Sequence, residues 1–155
     1  MISNERSQQR ENLEMSSVAQ LVVGARMDAQ SSPITRSVTS VLKWGLCPAI
    51  FPTGCQIAVL NGDPSKPNAD VFLRVPGGYT IPAHSHSSAE RMVLVQGRLT
   101  VTYKGAAAAI SPPGVHAYGP ASLLHETKCA GSKPCTLFIA FDGPMDATVF
   151  VGSLK

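Results

Sequence analysis

The sequence predicts an all-β domain built from short strands. The 155-residue chain contains 13 Gly and 12 Pro, and only 15% of its residues are charged. Glycine and proline end strands and form turns, so this composition favours many short strands over long helices. Short apolar runs recur between these turns about every eight to twelve residues. We therefore expect about nine or ten strands, arranged as a sandwich or barrel.

The strands can be placed after the first third of the chain. Residues 57–60 form a short apolar run that ends at the turn sequence Asn-Gly-Asp-Pro. Residues 70–75 alternate, which places Val71, Leu73 and Val75 on one face. Further strands are expected in a hairpin spanning 90–105 and in the segments 106–110, 123–129, 136–141 and 146–151.

The N-terminal part of the chain differs from the rest. Residues 1–44 are polar, rich in Ser, Gln and Arg, and show only weak helical spacing. We interpret them as an extension, either a short helix or disordered, that precedes a domain spanning 45–155. The apolar stretch 18–25 resembles a signal-peptide core, but Gln20 interrupts it and no basic flank precedes it directly. A cytoplasmic location is therefore the interpretation that we favour over secretion.

Charge and hydropathy exclude two classes of partner. The formal net charge is +3, and the Lys and Arg residues are scattered rather than clustered. Without a basic patch or an aromatic ladder, we expect no nucleic acid partner. No apolar run approaches the roughly 20 residues of a membrane span, so we expect no membrane insertion. A small molecule is the remaining class of ligand.

The four cysteines fall into two close pairs, Cys47 with Cys55 and Cys129 with Cys135. Such an even count permits two local disulfides, which would favour an oxidising compartment. The alternative, four buried or idle thiols in a cytoplasmic protein, is the one that we favour slightly. For Cys129 two roles stay open: a thiol beside the functional site, or a bridge to Cys135 across a hairpin.

Two histidines and a glutamate lie close together between two glycines. His84 and His86 are separated by one residue, so a strand directs both rings to the same face. Glu90 begins an apolar run, and the same period directs Met92 and Leu94 inward with it. An ionised carboxylate on such an apolar floor needs a cation. Imidazoles with a carboxylate are typical ligands of a divalent transition metal.

The spacing of these residues resembles the first motif of the cupin superfamily, Gly-(five)-His-X-His-(three or four)-Glu-(six)-Gly. Every position of the motif is matched, by Gly78, His84, His86, Glu90 and Gly97.

A second cupin motif, Gly-(five)-Pro-X-Gly-(two)-His-(three)-Asn, is matched in part. Gly114, Pro120 and His125 fit, whereas Ser122 stands at the usual Gly and Cys129 at the usual Asn. The resemblance covers about residues 45–151.

The cupin resemblance implies a fold, a ligand set and an assembly. The implied fold is a single double-stranded β-helix, that is, a jelly-roll barrel. The implied ligand set adds His125 to His84, His86 and Glu90, around one divalent metal (Fe, Mn, Ni, Co, Cu or Zn) whose identity the sequence does not select. Pairing through exposed edge strands predicts a homodimer.

The function expected from this resemblance is that of a small metal-dependent enzyme. Our first choice is a dioxygenase-type oxidoreductase acting on a small enolisable or phenolic substrate. The alternatives are a metal-dependent isomerase or lyase, and a non-catalytic cupin that senses a small ligand. His116 and Tyr118 are candidate catalytic residues, and His116 is also a competing metal ligand. Arg74, Arg91 and Arg98 are candidates for binding an acidic substrate, although a solvated strand face explains each of them.

Overall fold

The computed structural model describes residues 42–154, which form eleven strands and, within that range, no helix. The all-β prediction is therefore confirmed for this part of the chain. The strands are β1 (Gly45–Leu46), β2 (Gln56–Asn61), β3 (Ala69–Val75), β4 (Thr80–Ser85), β5 (Glu90–Gln96), β6 (Leu99–Tyr103), β7 (Ala109–Ser111), β8 (His116–Gly119), β9 (His125–Cys129), β10 (Cys135–Phe141) and β11 (Thr148–Val149).

The strands form two antiparallel sheets that share one apolar core. The six-stranded sheet has the order β1-β2-β3-β10-β5-β8, and the five-stranded sheet has the order β11-β4-β9-β6-β7. Alternate side chains of each strand turn inward, as in β3, where Val71, Leu73 and Val75 are all buried as predicted. Side chains from both sheets meet in this core; among them are Ile81, Met92, Leu94, Leu99, Val101, Leu137, Ile139 and Phe141.

The predicted hairpin over 90–105 is wrong. Both strands exist, but β5 pairs with β10 and β8, whereas β6 pairs with β9 and β7 in the other sheet. At the corner between them, Gly97 has a φ of +97°, and a Cβ there would lie 2.7 Å from the carbonyl oxygen of Pro134. Two strands joined by a short glycine turn look the same in sequence whether the chain folds back or crosses to the facing sheet. Long-range pairing with β10 decides the outcome.

Both cysteine pairs are disulfides in the structure, so the expectation of four free thiols is wrong. Cys47–Cys55 closes the loop that connects β1 to β2. Cys129–Cys135 joins β9 to β10, and these strands belong to different sheets. The second bridge therefore links the two sheets and does not cross a hairpin.

The ends of the predicted domain are less regular than its centre. The predicted strand 106–110 is replaced by the three-residue β7, and 146–151 contributes only the two-residue β11. The predicted extension 1–44 lies almost entirely outside the described residues. Within the described part of the chain, no helix is long and apolar enough to cross a membrane.

Candidate metal centre

The structure brings the three predicted histidines to one place. His84 lies near the end of β4, and its Cα is the register partner of His125 on β9. His86 follows directly after β4. The nitrogen atoms that these three rings can offer as ligands lie within 4.8 Å of one another. All three side chains are buried, with 4%, 9% and 3% of their surface exposed for His84, His86 and His125.

Each imidazole is oriented through its Nδ1 atom by a backbone carbonyl. Nδ1 of His84 donates to Pro82 O at 2.7 Å, and Nδ1 of His125 donates to Leu123 O at 3.2 Å. Nδ1 of His86 donates to the carbonyl of Asp146. A carbonyl only accepts, so each Nδ1 carries a proton. In a neutral ring, Nε2 then has a free lone pair, which is the arrangement found in metal-binding histidines.

Glu90 completes the cluster from the facing sheet. Its Oε1 lies 3.1 Å from Nε2 of His125, and its Oε2 lies 3.4 Å from Nε2 of His86. Only 1% of Glu90 is exposed, and Oε1 has no hydrogen-bond donor when the histidines are neutral. The lone pairs of the Glu90 oxygens would then face the Nε2 lone pairs of His86 and His125, with no solvent between them. A proton or a cation is required between them.

The pKa values of these groups are set by burial and by the charges of their neighbours. Burial holds the pKa of His84 at about 4, below the ordinary 6.5, and the charge of His125 adds to that effect. Burial acts in the same direction on His125, but the hydrogen bond and the charge of Glu90 outweigh it and raise the pKa of His125. Burial also acts to raise the pKa of Glu90, yet the three histidines outweigh burial and lower it. The buried charge of Glu90 therefore favours a positive charge beside it.

The floor beneath Glu90 is apolar, as the strand period predicted. Met92 and Leu94 follow it on the same face of β5 and are 5% and 1% exposed. Gly119 on β8 is the register partner of Glu90, and a Cβ at Gly119 would lie 2.9 Å from Cγ of Glu90. The absence of a side chain at Gly119 thus provides the space that the Glu90 carboxylate occupies.

The cluster lines a cavity of about 320 Å³, and the part of the wall formed by His84, His86, Glu90 and His125 is called the metal end below. The remainder of the wall is mainly apolar, and it comes from three parts of the chain. The core strands contribute Val71, Leu73, Ile81, Met92, Leu137, Ile139 and Phe141; the disulfide-closed loop contributes Cys47, Pro48, Ile50 and Phe51; and the segment before β11 contributes Met145, Asp146 and Ala147. Such a cavity has the size and lining of a small-molecule site.

The structure does not bring the other candidate residues to this cavity. His116 and Tyr118 are exposed on β8, where their register partners are Val93 and Arg91, residues that face away from the core. Arg91 forms an ion pair with Asp142, as expected for a side chain directed away from Glu90. Arg74 hydrogen-bonds to Gln56 and lies over the ring of Trp44. Arg98 is exposed, and it does not line the cavity.

Several residues around the site have no signal in the sequence motifs. Phe51 packs edge-on against His84, with ring centroids 5.4 Å apart. Asp146 accepts a 2.8 Å hydrogen bond from Ser87 N at its carboxylate, while its carbonyl orients His86. The hydrogen bonds from Ser87 lower the pKa of Asp146. Tyr103 lies beside His125 at 5.6 Å, and burial, followed by the charge of Glu90, raises the pKa of its hydroxyl. Only a folded chain places these residues near the histidines.

Ser122, which departs from the second motif, keeps the conformation that a glycine would have. Its φ is +63°, in the left-handed region. Its N–H donates to the carbonyl of His86 at 2.8 Å, so the turn before β9 is joined to the segment that contains His84 and His86. The substitution therefore retains the turn but adds backbone strain.

Comparison with known families supports the fold described above. The family model Cupin_2, a cupin domain, matches residues 71–141, a stretch that contains His84, His86, Glu90 and His125. Residues 71–141 are therefore a cupin domain, as the motifs predicted. No curated protein matches the sequence itself.

Solved structures with the same fold are distant in sequence. The DMSP lyase DddQ from Ruegeria pomeroyi has 21% identity and a TM-score of 0.60, and the match covers 70% of this chain and 61% of that one. The polyketide cyclase RemF from Streptomyces resistomycificus has 14% identity and a TM-score of 0.62, with 77% and 87% covered. An RmlC-like cupin from Shewanella frigidimarina has 16% identity and a TM-score of 0.57, with 72% and 92% covered. This chain thus spans about three fifths of the lyase, and the likeness concerns the fold.

Proposed function

We propose that this protein is a metal-dependent enzyme that binds one divalent transition metal through His84, His86, Glu90 and His125. The observation that carries the proposal is the unpaired oxygen of Glu90, enclosed and 3.1 Å from a histidine Nε2. Three imidazoles with Nδ1 engaged and one carboxylate form a donor set that suits Fe, Mn, Ni, Co, Cu or Zn.

The protein's own residues prepare the site for a small organic substrate. When bound, a metal of this group supplies Lewis acidity and, for a redox-active ion, one-electron chemistry. Glu90 contributes a negative charge that offsets part of the metal's charge. The carbonyls of Pro82, Leu123 and Asp146 fix the ring orientations. The apolar cavity excludes water and thereby strengthens the electrostatic interactions at its polar end.

Our preferred reaction is a dioxygenase-type oxidation of an enolisable or phenolic compound. The mainly apolar wall supports a compact uncharged body, and Arg74, Arg91 and Arg98 are directed elsewhere, so no arginine from this set favours a phosphorylated or strongly acidic substrate. A lyase is the second candidate, because DddQ, a protein with the same fold, is a lyase. A non-catalytic sensor would use the same cavity without turnover.

Metal analysis of purified variants tests the proposal. Wild-type protein is expected to hold about one metal per chain, and His86→Ala is expected to hold almost none, because it loses one of the four proposed ligands. His116→Ala is the matched control, since that histidine is exposed on β8 and should leave the metal content unchanged. A wild type without metal, or a His116→Ala variant that loses it, contradicts the proposed ligand set.

Turnover separates the enzyme from the sensor. Metal-loaded protein is incubated with diketones, phenols and keto acids while dioxygen uptake and product formation are recorded. Dioxygen uptake that His86→Ala abolishes supports the oxidoreductase. Product formation without dioxygen uptake favours the lyase or isomerase, and ligand binding without any product favours the sensor.

The oligomeric state and the cellular location of the protein are further parts of the proposal. A homodimer through edge strands remains a prediction that light scattering of the purified chain tests. The cytoplasmic location also remains a prediction, but the two disulfides count against it because such bridges persist mainly in oxidising compartments.

A further inference from the structure

The disulfide-closed loop, residues 47–55, lies against the metal end of the cavity although it is outside both cupin motifs. Cys47, Pro48, Ile50 and Phe51 from this loop all line the cavity. The Phe51 ring is edge-on to His84 at 5.4 Å, a spacing close to the 4.9 Å that separates His84 from His86. Phe51 and the three histidines therefore line one cavity, with Phe51 in direct ring contact with His84.

The loop is held in place by interactions at both of its ends and at its centre. Cys47 and Cys55 are joined by the disulfide, and Cys47 N also donates to Cys55 O at 3.2 Å. Inside the loop, Phe51 N donates to Pro48 O at 3.0 Å. The hydroxyl of Tyr79, a buried core residue, donates to the carbonyl of Pro52. These contacts fix the backbone on either side of Phe51.

We infer that Phe51 is a specificity-determining residue of the cavity and that the Cys47–Cys55 bridge positions it. This inference rests on the proposed metal site and adds the substrate class. The preferred ligand binds the metal through one polar atom and carries an apolar ring or chain directly beside that atom, in contact with Phe51. A ligand that is polar throughout gains nothing from this wall.

The physical reason is the contrast between the two surfaces that the ligand meets. The histidines and Glu90 provide the polar contacts, and Phe51 with half-exposed Ile50 provides apolar surface at the same end of the cavity. Burial of an aromatic ring against such a wall favours binding in proportion to the apolar area removed from water. If the loop were not closed, ordering it upon ligand binding would reduce that gain.

Two probes that share one metal-binding group test the inference. Imidazole and 4-phenylimidazole are titrated into cobalt(II)-loaded protein, whose visible absorption reports binding. The wild type is expected to prefer 4-phenylimidazole, and Phe51→Ala is expected to reduce this preference about tenfold while imidazole binding changes less than twofold. Phe51→Leu should retain most of the preference because it remains apolar. A Cys47→Ala/Cys55→Ala variant should change the preference in the same direction as Phe51→Ala, to a smaller extent.

Phe138→Ala is the matched control for the loss of a phenyl ring. Phe138 is also half-buried, but it faces Phe72 on the outer side of the six-stranded sheet and does not line the cavity. It should leave the preference unchanged. If Phe51→Ala leaves the preference for 4-phenylimidazole intact, or if Phe138→Ala reduces it equally, the inference about Phe51 is overturned. The proposed metal site is unaffected by either result. A wild type that binds no cobalt, or binds cobalt but neither probe, overturns the proposed function with it.

Discussion

The metal end of the cavity and its apolar wall are built in different ways. The metal end consists of side chains on or directly after strands, with His84 and His125 as register partners, His86 just after β4 and Glu90 on the facing sheet. The wall near it comes from a loop closed by a disulfide and from the irregular segment that contains Met145 and Asp146. The strands place the ligands to within a hydrogen-bond length, whereas the loops determine what lies beside them. The proposed metal ligands and the proposed specificity-determining residue therefore come from separate parts of the chain.

Removing the charge of Glu90 should cause the largest loss of metal affinity. Glu90→Gln preserves the shape of the side chain but withdraws a buried negative charge from the proposed ligand set. For scale, two unit charges about 4 Å apart interact by about 4 kcal/mol at an effective dielectric constant of 20. Metal affinity is expected to fall about a hundredfold to a thousandfold, as measured by competition with a chelator. A loss of less than tenfold would show that the carboxylate is not a ligand.

The space that Gly119 leaves for Glu90 offers a second test of the metal end. In Gly119→Ala the new Cβ would meet Cγ of Glu90 at 2.9 Å, so the carboxylate must move. We expect a loss of about 1–3 kcal/mol in the free energy of unfolding and about a tenfold loss in metal affinity. Gly45→Ala is the control, because its Cβ would have no neighbour closer than 3.9 Å. Equal effects of the two substitutions would contradict this role of Gly119.

The pH dependence of metal-free stability reports on the burial of His84. Its pKa is about 4 in the folded protein, against 6.5 as the ordinary value. Because the unfolded chain binds the proton more readily, this histidine makes folding less favourable as the pH falls from 6.5 toward 4. Between about pH 7 and pH 5, the wild type should lose about 2 kcal/mol more of its free energy of unfolding than His84→Gln does. Urea unfolding at the two pH values measures the difference, and parallel pH profiles would refute it.

The turn at Ser122 is joined to the metal end by a backbone hydrogen bond to His86. A substitution in this turn should cause the smallest change in the free energy of unfolding. A left-handed conformation costs a non-glycine residue about 1–2 kcal/mol, and glycine offsets part of this through its greater freedom in the unfolded chain. Ser122→Gly should therefore raise the free energy of unfolding by about 1 kcal/mol and leave metal content unchanged. Thermal denaturation tests it: a lower melting temperature would mean that the serine side chain stabilises the turn.

The contrast between strand residues and loop residues also explains what could be predicted from the sequence. The spacing of His84, His86 and Glu90 has the period of a strand, so one short segment is enough to indicate the metal end. The inward direction of Met92 and Leu94 follows from the same period, and both are buried. Pairing between distant segments follows no such local rule. For that reason the sequence predicts a hairpin where the chain in fact crosses from one sheet to the other, although both strands lie near their predicted positions.

The loop residues were beyond prediction for a related reason. Phe51 and Asp146 carry no motif, and their positions beside His84 and His86 depend on how two loops return to the sheet. The oxidation state of the cysteines was equally undetermined, since the spacing of Cys47 and Cys55 permits both a bridge and two thiols. His116 was a reasonable candidate by residue type, but the register of β8 against β5 directs it outward.

The bridge between Cys129 and Cys135 has a consequence for how the protein is made. Both sulfur atoms belong to residues that are almost fully enclosed, at 1% and 0% exposure. An oxidant or a disulfide-exchange enzyme needs access to a thiolate, so this bond has to form while the chain is still open. Biosynthesis must therefore couple thiol oxidation to the closing of the two sheets, and a chain that closes in a reducing environment would seal two thiols inside.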